Sequence, residues 1–138
     1  MWLATMRKGI DCVLNPTSVA PEFIHLGQFA DYPQNAVRVR RLAIIGDSLI
    51  TAATTGGFLT VGLPAEKRFD RTSFRLHVSR PGDDSSLGNI AVMNILPDAK
   101  GRLFIATESD GVNMLPPEIS ADSDSARFVH FDTRTGMP

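Results

Sequence analysis

The residues with the most evident chemical potential lie in the run Leu42-Ala43-Ile44-Ile45-Gly46-Asp47-Ser48-Leu49. An apolar strand that ends at a serine can present the serine hydroxyl as a nucleophile. Such a serine attacks an ester only when a neighbouring base takes its proton and hydrogen-bond donors stabilise the oxyanion. Ser48 is therefore a candidate nucleophile only if the chain also supplies these partners.

Gly46-Asp47-Ser48-Leu49 resembles the nucleophile block of the GDSL (SGNH) lipase-esterase family. The resemblance implies a base in a late Asp-x-x-His block, an oxyanion donor in a Gly-x-Asn-Asp block and a helix after the serine. No histidine follows an aspartate at that spacing, because the residues three positions earlier are Glu22, Phe74 and Arg127. Gly111-Val112-Asn113 is followed by Met114 rather than by an aspartate.

The segment after Ser48 also argues against this enzyme class. Residues 50–57 contain Thr-Thr-Gly-Gly, which favours strand and turn over helix. An esterase that uses Ser48 is thus a distant alternative, and we predict that the segment is not catalytic.

Other ligand-type side chains are scattered. His77 and His130 recur within successive repeats, which favours one shared structural position on a strand over metal ligation. The acidic pairs at 83–84 and 122–124 are interpreted as solvated loops, since calcium needs more oxygen ligands on a defined frame. Cys12 lies in an apolar run and is interpreted as a small buried hydrophobe. The sequence predicts no metal and no cofactor, and it leaves the ligand-binding residues unknown.

The composition and net charge limit the classes of partner that this chain is expected to bind. Hydrophobic residues make up 43% and charged residues 21% of the 138 residues, which is ordinary for a globular protein. The net charge of −1 leaves no electrostatic footprint for nucleic acid or a membrane surface. No apolar run is long enough to span a bilayer. We therefore predict no nucleic-acid or membrane contact by this segment.

An internal repeat must position all of these residues. Residues 1–10 align with 103–112, with identical alanine, threonine and glycine at matching places, and 50–58 form a third copy. The three threonines, Thr5, Thr54 and Thr107, are 49 and 53 residues apart, a period typical of propeller blades or solenoid units. The alignment predicts that Ala4, Ala53 and Ala106 are equivalent on the second strand of successive units. It also places Trp2 and Phe104 in the core between units and the threonines against neighbouring blades.

Each unit contains four short β-rich runs separated by turn signals. The runs are 1–5, 9–14 and 22–26 in the first unit, 36–45, 49–54, 57–62 and 72–78 in the second, and 90–96, 102–107, 111–115 and 127–132 in the third. The loops 79–86 and 116–126 are interpreted as surface excursions. Eleven antiparallel strands and essentially no helix are therefore predicted, in the pattern of four-stranded blades.

The stretch Leu87–Leu115 resembles the two-component regulator propeller repeat, which runs from Asn-x-Val through Asp-x-x-Gly to Leu-Trp-Ile-Gly-Thr and a Gly-Leu or Gly-Ile pair. Trp2-Leu3-Ala4-Thr5 and Phe104-Ile105-Ala106-Thr107 stand at the Trp-Ile-Gly-Thr core of that repeat. The resemblance implies tandem propellers in the periplasmic sensor region of bacterial hybrid two-component systems, which carry histidine kinase modules and respond in many cases to oligosaccharides.

The resulting hypothesis is an all-β, β-propeller fragment with two complete four-stranded blades and three strands of a preceding blade. Residues 1–31 would hold those three strands, 32–83 the second blade, 84–134 the third and 135–138 the start of a further blade. The function implied by the resemblance is oligosaccharide recognition by a periplasmic sensor, and a generic propeller interaction module is the alternative. The expected partners are the remaining blades of the same parent chain or a second copy through self-association.

Overall fold

The computed structural model describes residues 1–65, 68–117 and 120–137. They form three antiparallel sheets, and their helical content is limited to 3₁₀ turns of three residues such as Leu26–Gln28 and Thr133–Thr135. Nowhere in these ranges does a helix have the length and apolarity needed to cross a membrane. The strands are β1 (Trp2–Ala4), β2 (Ile10–Leu14), β3 (Glu22–His25), β4 (Val39–Ile45), β5 (Leu49–Thr54), β6 (Gly57–Gly62), β7 (Ser73–His77), β8 (Val92–Pro97), β9 (Leu103–Thr107), β10 (Val112–Leu115) and β11 (Val129–Phe131).

Strand order follows chain order in every sheet. The first sheet is β1-β2-β3, the second is β4-β5-β6-β7 and the third is β8-β9-β10-β11. The prediction of eleven short strands in units of three, four and four is confirmed. Observed strands start up to three residues later than the predicted runs, since Gln34–Ala36 forms a 3₁₀ turn before β4.

The predicted equivalence of the three alanines is also confirmed. Ala4 pairs with Ile10, Ala53 with Phe58 and Ala106 with Val112, so each alanine pairs with the first residue after the repeated glycine. This common register aligns the three sheets residue by residue.

The repeated threonines close the turn between the second and third strands of each unit. The hydroxyl of Thr5 donates to the carbonyl oxygen of Gly9 at 2.9 Å, and Thr54 and Thr107 make the same bond to Gly57 and Gly111. Each hydroxyl also accepts a backbone N–H from within its turn. Their main role is therefore to tie a hairpin, rather than to pack against a neighbouring blade as the sequence suggested.

The sheets stack face to face around two apolar cores. We call the side of each sheet that bears the repeated alanine its forward face, and the opposite side its backward face. The forward face of the first sheet, with Ile10, packs on the backward face of the second, with Ile50 and Leu59. The forward face of the second, with Phe58, packs on the backward face of the third, with Ile105. β8 lies against both β4 and β5, so the first strands of adjacent sheets are neighbours.

The two outermost faces are not covered by another described sheet. The forward face of the third sheet carries two cross-strand rows, Leu96-Phe104-Met114-Val129 and Asn94-Ala106-Val112-Phe131. The large hydrophobic side chains of Leu96, Val129 and Phe131 are all exposed on this face. On the backward face of the first sheet, Phe23 is 47% exposed and stacks on the ring of His25.

The interpretation of His77 and His130 as one shared position is wrong. His77 pairs with Phe58, whereas His130 pairs with Asn113, one residue further along the equivalent strand. A one-residue offset reverses the face of a strand to which a side chain points. His77 therefore lies on the forward face of the second sheet and His130 on the backward face of the third, at opposite sides of the same interface.

The loops 79–86 and 116–126 are likewise more than surface excursions. Ser86 and Ala121 are buried, and the imidazole of His77 lies 2.9 Å from the carbonyl oxygen of Ala121. The imidazole of His130 lies 2.7 Å from the carbonyl oxygen of Ser86. The described residues of both loops therefore contact the second and third sheets where these two sheets meet.

Candidate functional site

Ser48 lies in the turn between β4 and β5. Gly46 has φ +59, and Gly46, Asp47 and Ser48 are all exposed. The segment that follows is the strand β5, whereas a nucleophile on an elbow of the hydrolase type is followed by a helix. The backbone carbonyl of Ser48 accepts a hydrogen bond from the N–H of Leu63 at 2.7 Å, which holds the turn against the end of β6.

The surroundings of Ser48 contain little that could activate its hydroxyl. It borders a cleft of about 400 Å³ with Arg71, Ser73, Ser120 and Asp122 among the lining residues. Within the described part of the chain, the Ser48 hydroxyl makes no hydrogen bond, and no histidine lines this cleft. Among the described residues, this cleft thus has no histidine, and the segment after Ser48 is a strand rather than the helix that the esterase resemblance implies.

A second cleft lies at the opposite end of the sheets. Because the strands are antiparallel, the turns after β5 and β9 and the connections between sheets lie together at this end, which we call the linking end. A cleft of about 150 Å³ opens there between the second and third sheets. A neighbouring cleft of about 350 Å³ shares Asp110 and Arg134 with it. The walls are Ser79–Gly88, the β9–β10 turn and the segment after β11.

The loop that forms one wall is held by its own side chains. The carboxylate of Asp83 accepts hydrogen bonds from the N–H and the hydroxyl of Ser85, the latter at 2.6 Å. The hydroxyl of Ser86 accepts the N–H of Arg80 at 2.9 Å. Gly82 adopts φ +83, which lets the chain reverse between these bonds. The donors from Ser85 hold the pKa of Asp83 below its ordinary range.

The opposite wall is a capped turn. The carboxylate of Asp132 accepts the N–H of Arg134 at 2.8 Å and two guanidinium bonds from the same residue, at 2.8 and 2.6 Å. These hydrogen bonds lower the pKa of Asp132 and raise that of Arg134. The guanidinium of Arg134 is thereby fixed at the boundary between the two clefts.

Two carboxylates in the cleft remain uncommitted. Asp84 and Asp110 both lie near enough to Arg134 to act on its pKa through charge. Within the described residues, neither carboxylate accepts a hydrogen bond or forms an ion pair. The clefts therefore present two available acceptors, one oriented guanidinium and several serine hydroxyls, a set that suits a ligand rich in hydroxyl groups.

The remaining residues singled out from the sequence are structural. Trp2 packs on the core between the first two sheets and meets the ring of Phe69 edge-on. Phe104 occupies the equivalent position and is half-buried like Trp2, with the guanidinium of Arg102 over its ring. Cys12 is buried. Asp122 and Asp124 pair with Arg75, and no described group of acidic, histidine or cysteine side chains could hold a metal ion.

The cleft residues were missed from the sequence because they come from three separate connections. The one available signal was Asp132 and Arg134 next to a Thr-Gly turn, and the sequence interpretation used only residues 135–138 of this segment, as the start of a further blade. That interpretation ends at Pro138, which lies outside the described residues. Comparison of the chain with protein-family models, curated proteins and solved structures gives no match.

Proposed function

We propose that this chain is a β-propeller segment that recognises a ligand rich in hydroxyl groups, such as an oligosaccharide, at its linking end. The fold part of the proposal is supported by three stacked sheets of common register, in which the first strands of the second and third sheets, β4 and β8, are adjacent. That arrangement fits the blades of a propeller, in which first strands surround a central axis.

One observation supports the ligand class. Asp84 and Asp110 present unpaired carboxylates beside the guanidinium of Arg134, in a cleft whose remaining lining is half serine and glycine and also includes Arg80, Asp83 and His130. Carboxylates accept short, strong hydrogen bonds from hydroxyl donors, and a guanidinium donates to hydroxyl or ring oxygens. An apolar ligand would find few contacts there.

The resemblance of residues 87–115 to the two-component regulator repeat supports a more specific role. On that resemblance, the segment would belong to the periplasmic propeller of a hybrid two-component sensor, with signalling carried out by kinase modules elsewhere in the polypeptide. Its remaining blades would come from the same parent chain or from a second copy. The gene would then encode a membrane-spanning helix and a histidine kinase module in the same reading frame. A gene that lacks both would favour the generic interaction module.

Ligand recognition is tested by titrating the chain with neutral and acidic oligosaccharides in a calorimeter. We expect Asp84→Asn or Asp110→Asn to weaken binding by about ten-fold, the cost of a lost charge-assisted hydrogen bond. Asp47→Asn is the matched control, because it removes the same charge from an exposed turn at the opposite end. Binding that all three variants leave unchanged, or no binding by any member of the panel, would contradict the proposal.

A further inference from the structure

The exposed forward face of the third sheet repeats, residue by residue, a face that is buried in the other two sheets. Val112 and Phe131 on this face occupy the places of Phe58 and His77 in the second sheet. In the second sheet, the ring of Phe128 from the next sheet covers that pair, at 6.3 Å from Phe58 and 5.8 Å from His77. The third sheet presents the same two positions with no described sheet across them.

The backward face of the first sheet repeats the other half of that interface. Phe23 lies opposite Val13 as Phe74 lies opposite Val61, and by the same register it is equivalent to Phe128. The local sequences agree as well, because Phe23-Ile24-His25 matches Phe128-Val129-His130. The chain therefore carries both halves of one further sheet-to-sheet contact, at its two opposite ends.

We propose that a second copy of this chain covers these faces in a head-to-tail arrangement. Phe23 of one copy packs on Val112 and Phe131 of the other, as Phe128 packs on Phe58 and His77 within the chain. A second copy is the occupant that the chain's own residues specify, because its first sheet bears the matching face. The same contact forms twice in a pair, so two copies of three sheets close a ring of six, within the usual range for propellers.

Two further positions fit this contact. Asp11 and His25 in the first sheet correspond to Asn113 and His130 in the third. In the third sheet, the amide oxygen of Asn113 accepts the N–H of Gly88 at 2.6 Å, from the connection that arrives from the preceding sheet. The carboxylate of Asp11, which now lies 3.0 Å from the His25 ring, is placed to receive the corresponding connection of the partner copy. This inference does not rest on the ligand proposed above.

Sedimentation equilibrium of the full chain tests the proposal, with each copy having a mass of 15.0 kDa. We expect a concentration-dependent dimer, and we expect Phe131→Glu or Phe23→Lys alone to weaken it at least about ten-fold, because each buries an unpaired charge. An equimolar mixture of the two variants should regain much of the lost association, since one of its two contacts pairs the glutamate with the lysine. Val19→Glu, at a fully exposed loop position, is the matched control and should leave the dimer intact.

Each result has a defined meaning. A chain that stays monomeric at high concentration overturns the second-copy proposal, whatever its oligosaccharide binding. A dimer that Phe131→Glu weakens and Phe23→Lys leaves unchanged indicates that two third sheets meet each other, which also overturns the head-to-tail arrangement. If the circular dichroism of Phe131→Glu shows that it does not fold, Val129→Glu takes its place, because Val129 is exposed in the neighbouring row of the same face.

Discussion

Replacement of Gly111 by alanine should destabilise the protein far more than the same replacement at Gly82. Both glycines adopt a left-handed backbone, with φ +66 and φ +83. They differ in what a Cβ atom would meet. At position 111 it would overlap the carbonyl oxygen of Phe131 on the neighbouring strand, whereas at position 82 nothing lies within 4 Å. The pair therefore separates backbone strain from close strand approach.

The expected magnitudes follow from these surroundings. A left-handed conformation costs an L-residue about 1–2 kcal/mol, and both variants carry this cost. In Gly111→Ala, β11 must also move away from β10, to which it is joined by only three residue pairs. Loss of two cross-strand hydrogen bonds would add about 2 kcal/mol, at about 1 kcal/mol net for each bond. Gly111→Ala should thus lose about 3–4 kcal/mol and Gly82→Ala about 1–2 kcal/mol.

Urea unfolding followed by circular dichroism measures the difference, at one fixed protein concentration so that any association affects all samples alike. With a slope of about 2 kcal/mol per molar urea, the midpoint should fall by about 1.5–2 M for Gly111→Ala and by about 0.5–1 M for Gly82→Ala. Equal shifts for the two variants would refute the reasoning, because they would mean that the approach of β11 does not require a glycine at position 111.

Three other predictions concern the turns and the contact between the second and third sheets. Thr107→Val should cost about 1–2 kcal/mol in urea unfolding, because it removes a hydroxyl that both donates and accepts within its turn. Thr107→Ser should retain most of that stability, and an equal loss would count against the hydroxyl. Arg75→Met should cost about 1–2 kcal/mol, because the guanidinium pairs with Asp122 and with the 90% exposed Asp124 and also donates to the carbonyl oxygen of Asp122. The part of the loss that comes from the ion pairs should shrink at high salt. A large, salt-independent loss would contradict a surface ion pair. Burial lowers the pKa of His77, so the unfolded chain binds its proton first as the pH falls below the ordinary value near 6.5. Stability should therefore be fully present above that pH and decline below it, and His77→Gln should reduce this slope in acid titrations of stability.

Much of the fold could be predicted from the sequence because the repeat fixes both the number and the order of the strands. Recurrence of alanine, threonine and glycine located the hairpin between the second and third strands of each unit, and the positive φ of Gly9, Gly57 and Gly111 agrees with that placement. Turn residues marked the remaining boundaries to within about three residues.

The face on which a side chain lies was harder to predict. His77 and His130 are 53 residues apart, the same spacing as Thr54 and Thr107, yet they lie on opposite faces of their sheets. The turn between the second and third strands is one residue longer in the third unit, because Thr107 precedes Gly111 by four residues and Thr54 precedes Gly57 by three. Side chains alternate between faces with a period of two, so this one residue puts the two histidines on opposite faces. The better match, Phe23-Ile24-His25 with Phe128-Val129-His130, joins units that are not adjacent in sequence.

The candidate site was the least predictable part. Gly46-Asp47-Ser48 is compatible with a nucleophile turn and with a hairpin turn, and the strand that follows decides between them. The carboxylates of Asp84 and Asp110 line the same cleft only because two connections reach the same end of the stacked sheets. Tertiary contacts of this kind leave no periodic signal in the sequence.

Strand pairing between chain neighbours has a consequence for how the protein forms. Strands pair in chain order within each of the three sheets, which are β1 to β3, β4 to β7 and β8 to β11. None of these sheets therefore needs a strand from a distant part of the chain in order to form. Folding rates fall as contacting residues become more distant along the chain, and all-β proteins are usually slow for that reason. Here each sheet can close as soon as its own last strand leaves the ribosome. Only the stacking of finished sheets then remains, which limits the time that unpaired strand edges are available to other nascent chains.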